Sequence, residues 1–180
     1  MAPAFDLDFV TPELAIGGRL PLDCAAVRAL GVCAVVDLRV EERDDERAFR
    51  AHGIAFLHLP TQDARAVSQE MLDDGVAWVA PRIARGEKVL VHCEHGVGRS
   101  ALLALCVLVA RGDSPLAALE RAKDARPQVS PSPEQLEAFA AWARSFAART
   151  GGDLRMPTVE ALGRIAWRHL QPGEQGTGTA

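Results

Sequence analysis

The stretch VLVHCEHGVGRSALLAL, residues 89–105, decides the reading of this chain. A run of branched apolar residues ends at His92. Cys93 and Arg99 follow with five residues between them, two of which are Gly96 and Gly98. An apolar run then resumes at Ala101. The pattern is a buried strand, a glycine-containing turn and a buried helix.

Four other chemistries are weaker fits to this turn. Gly96, Gly98 and Ala101 match G-x-G-x-x-A, but a dinucleotide site also needs an acid-bearing strand about 20 residues on. That region here reads LAALERAKDARP, which is helical. A nucleotide-triphosphate loop would place Cys93 at an obligatory glycine and Arg99 at its lysine. His92, Cys93, Glu94 and His95 are all potential metal ligands. Adjacent residues of an extended chain alternate in direction, however, and Arg99 opposes a cation. A plain buried thiol leaves the two glycines, Arg99 and Ser100 unexplained.

A phosphate-binding loop containing a thiolate accounts for all of them. Residues 94–99 wrap one phosphoryl group with their N–H donors turned inward, and the glycines supply the dihedrals for the wrap. The helix that starts near Arg99 directs its positive end at the same point. Arg99 adds a planar fork for two phosphate oxygens. The same positive field favours the thiolate form of Cys93. Ser100 can donate to the sulfur as it leaves. Glu94, His95, Gly96, Val97 and Gly98 complete the expected substrate-binding loop, with the side chains of Glu94 and His95 facing outward.

The rest of the chain supplies the frame. With 180 residues, 48% hydrophobic and 24% charged, it suits one soluble globular domain. Apolar segments at 14–17, 32–38, 54–59 and 88–92 read as strands, the third closed by Pro60. Periodic segments at 42–51, 72–83, 100–111, 115–126, 134–149 and 158–170 read as helices, with Pro81 a possible kink in the second. The alternation implies an α/β three-layer sandwich with a mainly parallel sheet of four or five strands. The expected organisation is a catalytic domain over 1–150, a helical appendage over 151–170 and a disordered tail over 171–180.

A net charge of −4 disfavours nucleic acid as a partner. The mixed-sign run EERDDER at 41–47 reads as a solvated helix face. No apolar stretch approaches the length of a membrane span. The N-terminus lacks a signal-peptide pattern, and the cysteines at 24, 33, 93 and 106 show no CxxC spacing. The expectation is a cytoplasmic monomer with reduced thiols. Cys24 or Cys33 is a candidate to resolve an oxidised Cys93.

The signature His92-Cys93-x5-Arg99-Ser100 resembles that of the cysteine-dependent protein tyrosine phosphatases, and the short chain is similar to their dual-specificity branch. VTPELAIGG and VVDLR (35–39) resemble the family's opening and core strands. The resemblance implies that an aspartate about 30 residues before the cysteine protonates the leaving group. Asp63, in the polar loop PTQDARAVS, stands at that distance. It also implies that His92 orients the loop from behind, and that a Pro-Asn pair braces it. Here Pro131-Ser132 stands at that place, so Ser132 is the expected brace. Arg126 has two readings, a residue that helps line the cleft and, more commonly for a helix-end arginine, a solvated one. The resemblance implies no cofactor and no metal, and a phosphorylated protein or small phosphoester as substrate. A weakly catalytic phospho-residue binding module and a phosphatase of a non-protein phosphoester stay open.

Overall fold

The computed structural model describes residues 5–20, 23–153 and 155–170. Five strands form one sheet: β1 (Leu7–Phe9), β2 (Leu14–Gly17), β3 (Val32–Arg39), β4 (Ala55–Thr61) and β5 (Lys88–His92). Their order is β1-β2-β5-β3-β4, with β1 antiparallel to β2 and every other pairing parallel. The α/β sandwich expected from the alternation of segments is the observed architecture.

Period-two alternation sorts the strand side chains onto two faces. Leu14, Ile16, Val36, Val89 and Val91 join the core formed with α3 (Gln69–Ala84), α4 (Arg99–Ala110), α5 (Pro115–Ala125) and α6 (Pro133–Thr150). Ala15, Val35 and Leu90 face the smaller core under α1 (Cys24–Ala29) and α2 (Glu46–Ala51), with Val27 and Phe49. β5 is the central strand, and its last four residues are buried. A strand enclosed on both sides carries an unbroken apolar run, which is why VLV reads as it does.

α4 is buried from Arg99 to Val109. It lies between the sheet and α3, α5 and α6. Burial of each leucine along it contributes roughly 1.5–3 kcal/mol. That packing fixes the helix, and with it the position of the loop at its N-terminus. α7 (Val159–Ala166) places Leu162 and Ala166 in the larger core, against α5 and α6. The tail expected to be disordered lies outside the described residues.

Three local expectations are corrected. β4 runs through Pro60 to Thr61 instead of stopping. β4 is an edge strand and Pro60 has no registered partner on β3, a place where proline is tolerated. α3 continues through Pro81 to Ala84. The charged run does not form a helix from Glu42. The side chain of Asp45 accepts from the N–H groups of Arg47 and Ala48, so α2 starts at Glu46 and residues 40–45 stay in the preceding loop.

Candidate active site

The loop from Cys93 to Arg99 leaves the C-terminal end of β5 and enters α4, the place where parallel sheets bind ligands. Gly98 is the N-cap of α4 and offers no side-chain cap, so the first N–H groups of the helix stay available to a ligand. The Cys93 sulfur is buried at the bottom. It accepts a hydrogen bond from the Gly96 N–H at 3.3 Å and lies 3.3 Å from Ser100 Oγ. Gly96 has φ +67°, which L side chains rarely adopt.

A cleft of about 180 Å³ opens above the sulfur. Cys93, Arg99, Asp63, His95, Val97 and Gly98 line it, together with Ala64, Ser130, Ser132 and Gln135. Asp63, 30 residues before Cys93, therefore meets Cys93 and Arg99 in one space. Asp63 Oδ1 is 3.1 Å from Arg99 Nη2. Another concavity, bordered by Glu13, Arg111, Asp113 and Arg121, lies at the far end of α4 and is lined by no cysteine or histidine.

Three arginines surround the loop, each about 1% exposed: Arg39, Arg99 and Arg126. A buried cation is tolerated only when paired, and each of these meets at least two carboxylates. Arg99 holds Glu41 through both prongs, at 2.8 and 2.7 Å, and donates to the Thr61 carbonyl at 2.7 Å. Burial works against its charged form, but Glu41, Cys93 and Asp63 outweigh burial and raise its pKa. The hydrogen bond from Arg99 lowers Glu41 to about 2. Arg99 Nε is buried without a partner among the described residues.

Arg39 bonds Asp37 at 3.0 and 3.2 Å and Asp44 at 2.7 Å, and reaches Glu42 and Glu94. His92 is fully buried behind the loop. Its Nδ1 is 3.4 Å from the Cys93 carbonyl, and its Nε2 is 2.7 Å from Asp44 Oδ2. The latter is a close approach out of line for a good hydrogen bond. Burial opposes ionisation of Asp44, but His92 and Arg39 lower its pKa nonetheless. Asp37, Asp44 and His92 bring three potential metal-ligating atoms within 4.8 Å of one another. Arg39 already bonds both carboxylates there, so the cluster carries its own cation.

Several expected roles change. Glu94 does not line the cleft and stays partly exposed, as expected, but its carboxylate is also held by Arg39 and Arg19. Ser132 lines the cleft but its hydrogen bonds go to Gln135 and Ala64, not to the 93–99 loop. It caps α6 in a capping box with Gln135, and its hydroxyl donates to the Ala64 carbonyl on the Asp63 side. The loop is braced instead by the Ser130 N–H on the Val97 carbonyl and by Gln135, whose amide leaves no room for a Cβ on Gly98. Glu41, Glu42 and Asp44 are not a solvated helix face but partners of Arg99, Arg39 and His92. Arg126 is not solvated. Cys33 bonds Arg28 and the Gly31 carbonyl, and all four cysteines are free thiols.

A sequence profile for "Swiss Army Knife protein, DSP-PTPase phosphatase domain" (PTP-SAK) matches residues 12–151. The chain belongs to this phosphatase family. It is 30% identical over 113 residues to the Arabidopsis thaliana phosphatidylglycerophosphate phosphatase PTPMT1. The match covers 61% of this chain and 34% of that protein, so the chain spans about a third of the length of its curated relative. The active form of Tk-PTP superposes with a TM-score of 0.71 at 29% identity, covering 80% of this chain and 99% of the other. A PTPMT1 structure gives 0.73 at 24% identity over 81% and 98%, a likeness of fold. Human DUSP28 gives 0.67 at 24% over 78% and 95%, again a likeness of fold.

Proposed function

We propose that the phosphatase hydrolyses phosphomonoesters, phosphotyrosine and phosphoserine or phosphothreonine of proteins, through a cysteinyl-phosphate intermediate. The observation that carries this reading is the convergence of Cys93, Arg99 and Asp63 on one cleft. The phosphoryl group takes the loop N–H groups and the Arg99 guanidinium as donors. The Cys93 thiolate attacks phosphorus in line. The bond to the ester oxygen breaks, and Asp63 gives that oxygen its proton. A water then attacks phosphorus while Asp63 takes up its proton. The P–S bond breaks, and sulfur leaves as a thiolate steadied by Ser100 Oγ, 3.3 Å away. The positive charge in each step comes from Arg99 and the backbone, so the cycle needs no metal ion. His92 orients the loop from behind.

A second reading is a non-protein phosphoester, favoured by the relative named a phosphatidylglycerophosphate phosphatase. Against a substrate with several phosphates stands the pairing of charges around the mouth. Among the described residues, Arg19, Arg39, Arg65, Arg99 and Arg126 are each already paired with carboxylates. A second phosphate therefore meets no unpaired arginine there. Turnover of para-nitrophenyl phosphate, phosphopeptides and micellar phosphatidylglycerophosphate, each with a Cys93→Ser control, tests the assignment. Phosphopeptides should give the highest kcat/KM of the two biological classes. Absence of any turnover in wild type, with phosphopeptide binding retained, would replace the enzyme by a binding module.

A further inference from the structure

We propose that Arg126, tethered by Asp6 and Asp8, is a positioning residue that aims the N–H groups of the 93–99 loop at the bound oxyanion. The proposal rests on the phosphatase reading of that loop. Arg126 is the C-cap of α5, about 1% exposed, and it spends its donors on two kinds of partner. Nε donates to the Gly96 carbonyl at 2.9 Å and Nη2 to the His95 carbonyl at 3.1 Å. Nη1 donates to Asp8 Oδ2 at 2.8 Å and Nη2 to Asp6 Oδ1 at 2.7 Å.

A trans peptide is planar, with its C=O and N–H on opposite sides. A carbonyl held outward therefore holds the next N–H inward. The His95 carbonyl is held by Arg126, and the N–H of that same peptide, on Gly96, points to Cys93 Sγ at 3.3 Å. The Gly96 carbonyl is held likewise, which turns the N–H of Val97 to the side of the cleft that Val97 lines. Released, these carbonyls are free to turn their negative ends toward the anion. Gly96 permits the close approach, since a Cβ there would meet Arg126 Nη2 at 2.6 Å.

The arginine acts by shape more than by charge. Asp6 and Asp8 lie against it, so the three side chains together carry no positive charge for a distant anion to feel. The two carboxylates come from the β1 end of the sheet. β1 is fixed by its antiparallel register, Leu7 opposite Gly17, and by the Gly18 N–H on the Asp6 carbonyl at 2.8 Å. The N-terminal strand thereby reaches the catalytic loop, 118 and 120 residues away from Arg126 in sequence.

The test uses the full chain and two readouts that need no turnover. One is the affinity for inorganic phosphate by calorimetry. The other is the rate at which iodoacetamide alkylates Cys93 at neutral pH. Arg126→Lys keeps the charge and loses the fork; both readouts should fall about 10-fold, with two loop hydrogen bonds lost. Asp6→Asn with Asp8→Asn keeps the fork and loosens its tether; both should fall roughly 3-fold. The double variant alters only side chains that meet Arg126, so it decides the matter if Arg126→Lys fails to fold. Phosphate affinity and alkylation equal to wild type in the folded double variant would overturn the proposal. These losses in the variants, with a wild type that binds phosphate and turns over no phosphoester, would uphold it while removing the enzyme reading.

Discussion

Arg99 and Glu41 meet as a two-pronged ion pair, Nη1 2.8 Å from Oε2 and Nη2 2.7 Å from Oε1. The pair uses the Nη1–Nη2 edge of the guanidinium, and Nε is buried without a hydrogen-bond partner among the described residues. Glu41 thus fixes the plane of the fork that is proposed to hold the phosphoryl group. Glu41→Gln should lower kcat/KM by about 10-fold to 10²-fold, the scale of a catalytic group displaced by a fraction of an ångström to an ångström. Steady-state kinetics on para-nitrophenyl phosphate checks it.

The same pair has a signed pH dependence. Arg99 holds Glu41 at about 2, below its ordinary 4.5. A lowered carboxylate contributes stability that is whole above its unfolded pKa and is lost as pH falls toward the folded one. The stability gap between wild type and Glu41→Gln should therefore be full at neutral pH and shrink as pH falls from about 5 through about 2. Urea unfolding across that range measures it. A gap that widens on acidification contradicts the assignment.

Asp63 should reveal itself through the leaving group. Asp63→Ala should cost roughly 10²- to 10⁴-fold in kcat on alkyl phosphates, whose leaving oxygen needs a proton, and far less on para-nitrophenyl phosphate. The Asp63→Ala chain should also retain bound phosphopeptide. A uniform loss on both substrate classes would assign Asp63 to binding instead.

Gly96→Ala places a Cβ 2.6 Å from Arg126 Nη2 and from the Gly17 backbone, at φ +67°. The strain should remove on the order of 1–3 kcal/mol of stability, or displace the loop and lower phosphate affinity. Gly112→Ala, also at positive φ but with open space around its Cβ, separates the two causes. It should cost stability while leaving phosphate affinity intact.

Asp44→Asn leaves Arg39 and His92 facing a neutral amide. Breaking a buried pair costs about 3–5 kcal/mol, and denaturant unfolding should show a loss near the lower end because Asp37 still holds Arg39. Because the pKa of Asp44 is lowered, the wild-type advantage should fade as pH drops below the ordinary carboxylate range.

The parts of the site that sequence made legible are those written in one continuous stretch. Cys93, Arg99 and Ser100 are positioned by a single strand-loop-helix unit, so their spacing carries their geometry. The valine runs of β3 and β5 announce a sheet buried on both faces. The brace around the loop is different in kind. Glu41 meets Arg99 across 58 residues, and Asp6 meets Arg126 across 120. Nothing local distinguishes these carboxylates from solvated ones. The run EERDDER looks like a helix face by composition, and only the cap at Asp45 shows that its first half stays in a loop against the site. Arg126 looks solvated at a helix end until β1 brings two acids to it. Ser132 resembles a brace by position, but its short side chain is used in capping α6.

The central claim is a phosphorylated Cys93. Wild type mixed with para-nitrophenyl phosphate and quenched in acid within the first turnover should carry phosphate on the peptide containing Cys93, detected by mass spectrometry. Cys93→Ser should show neither label nor turnover. Phosphate found on another residue, or hydrolysis that survives Cys93→Ser, would contradict the account.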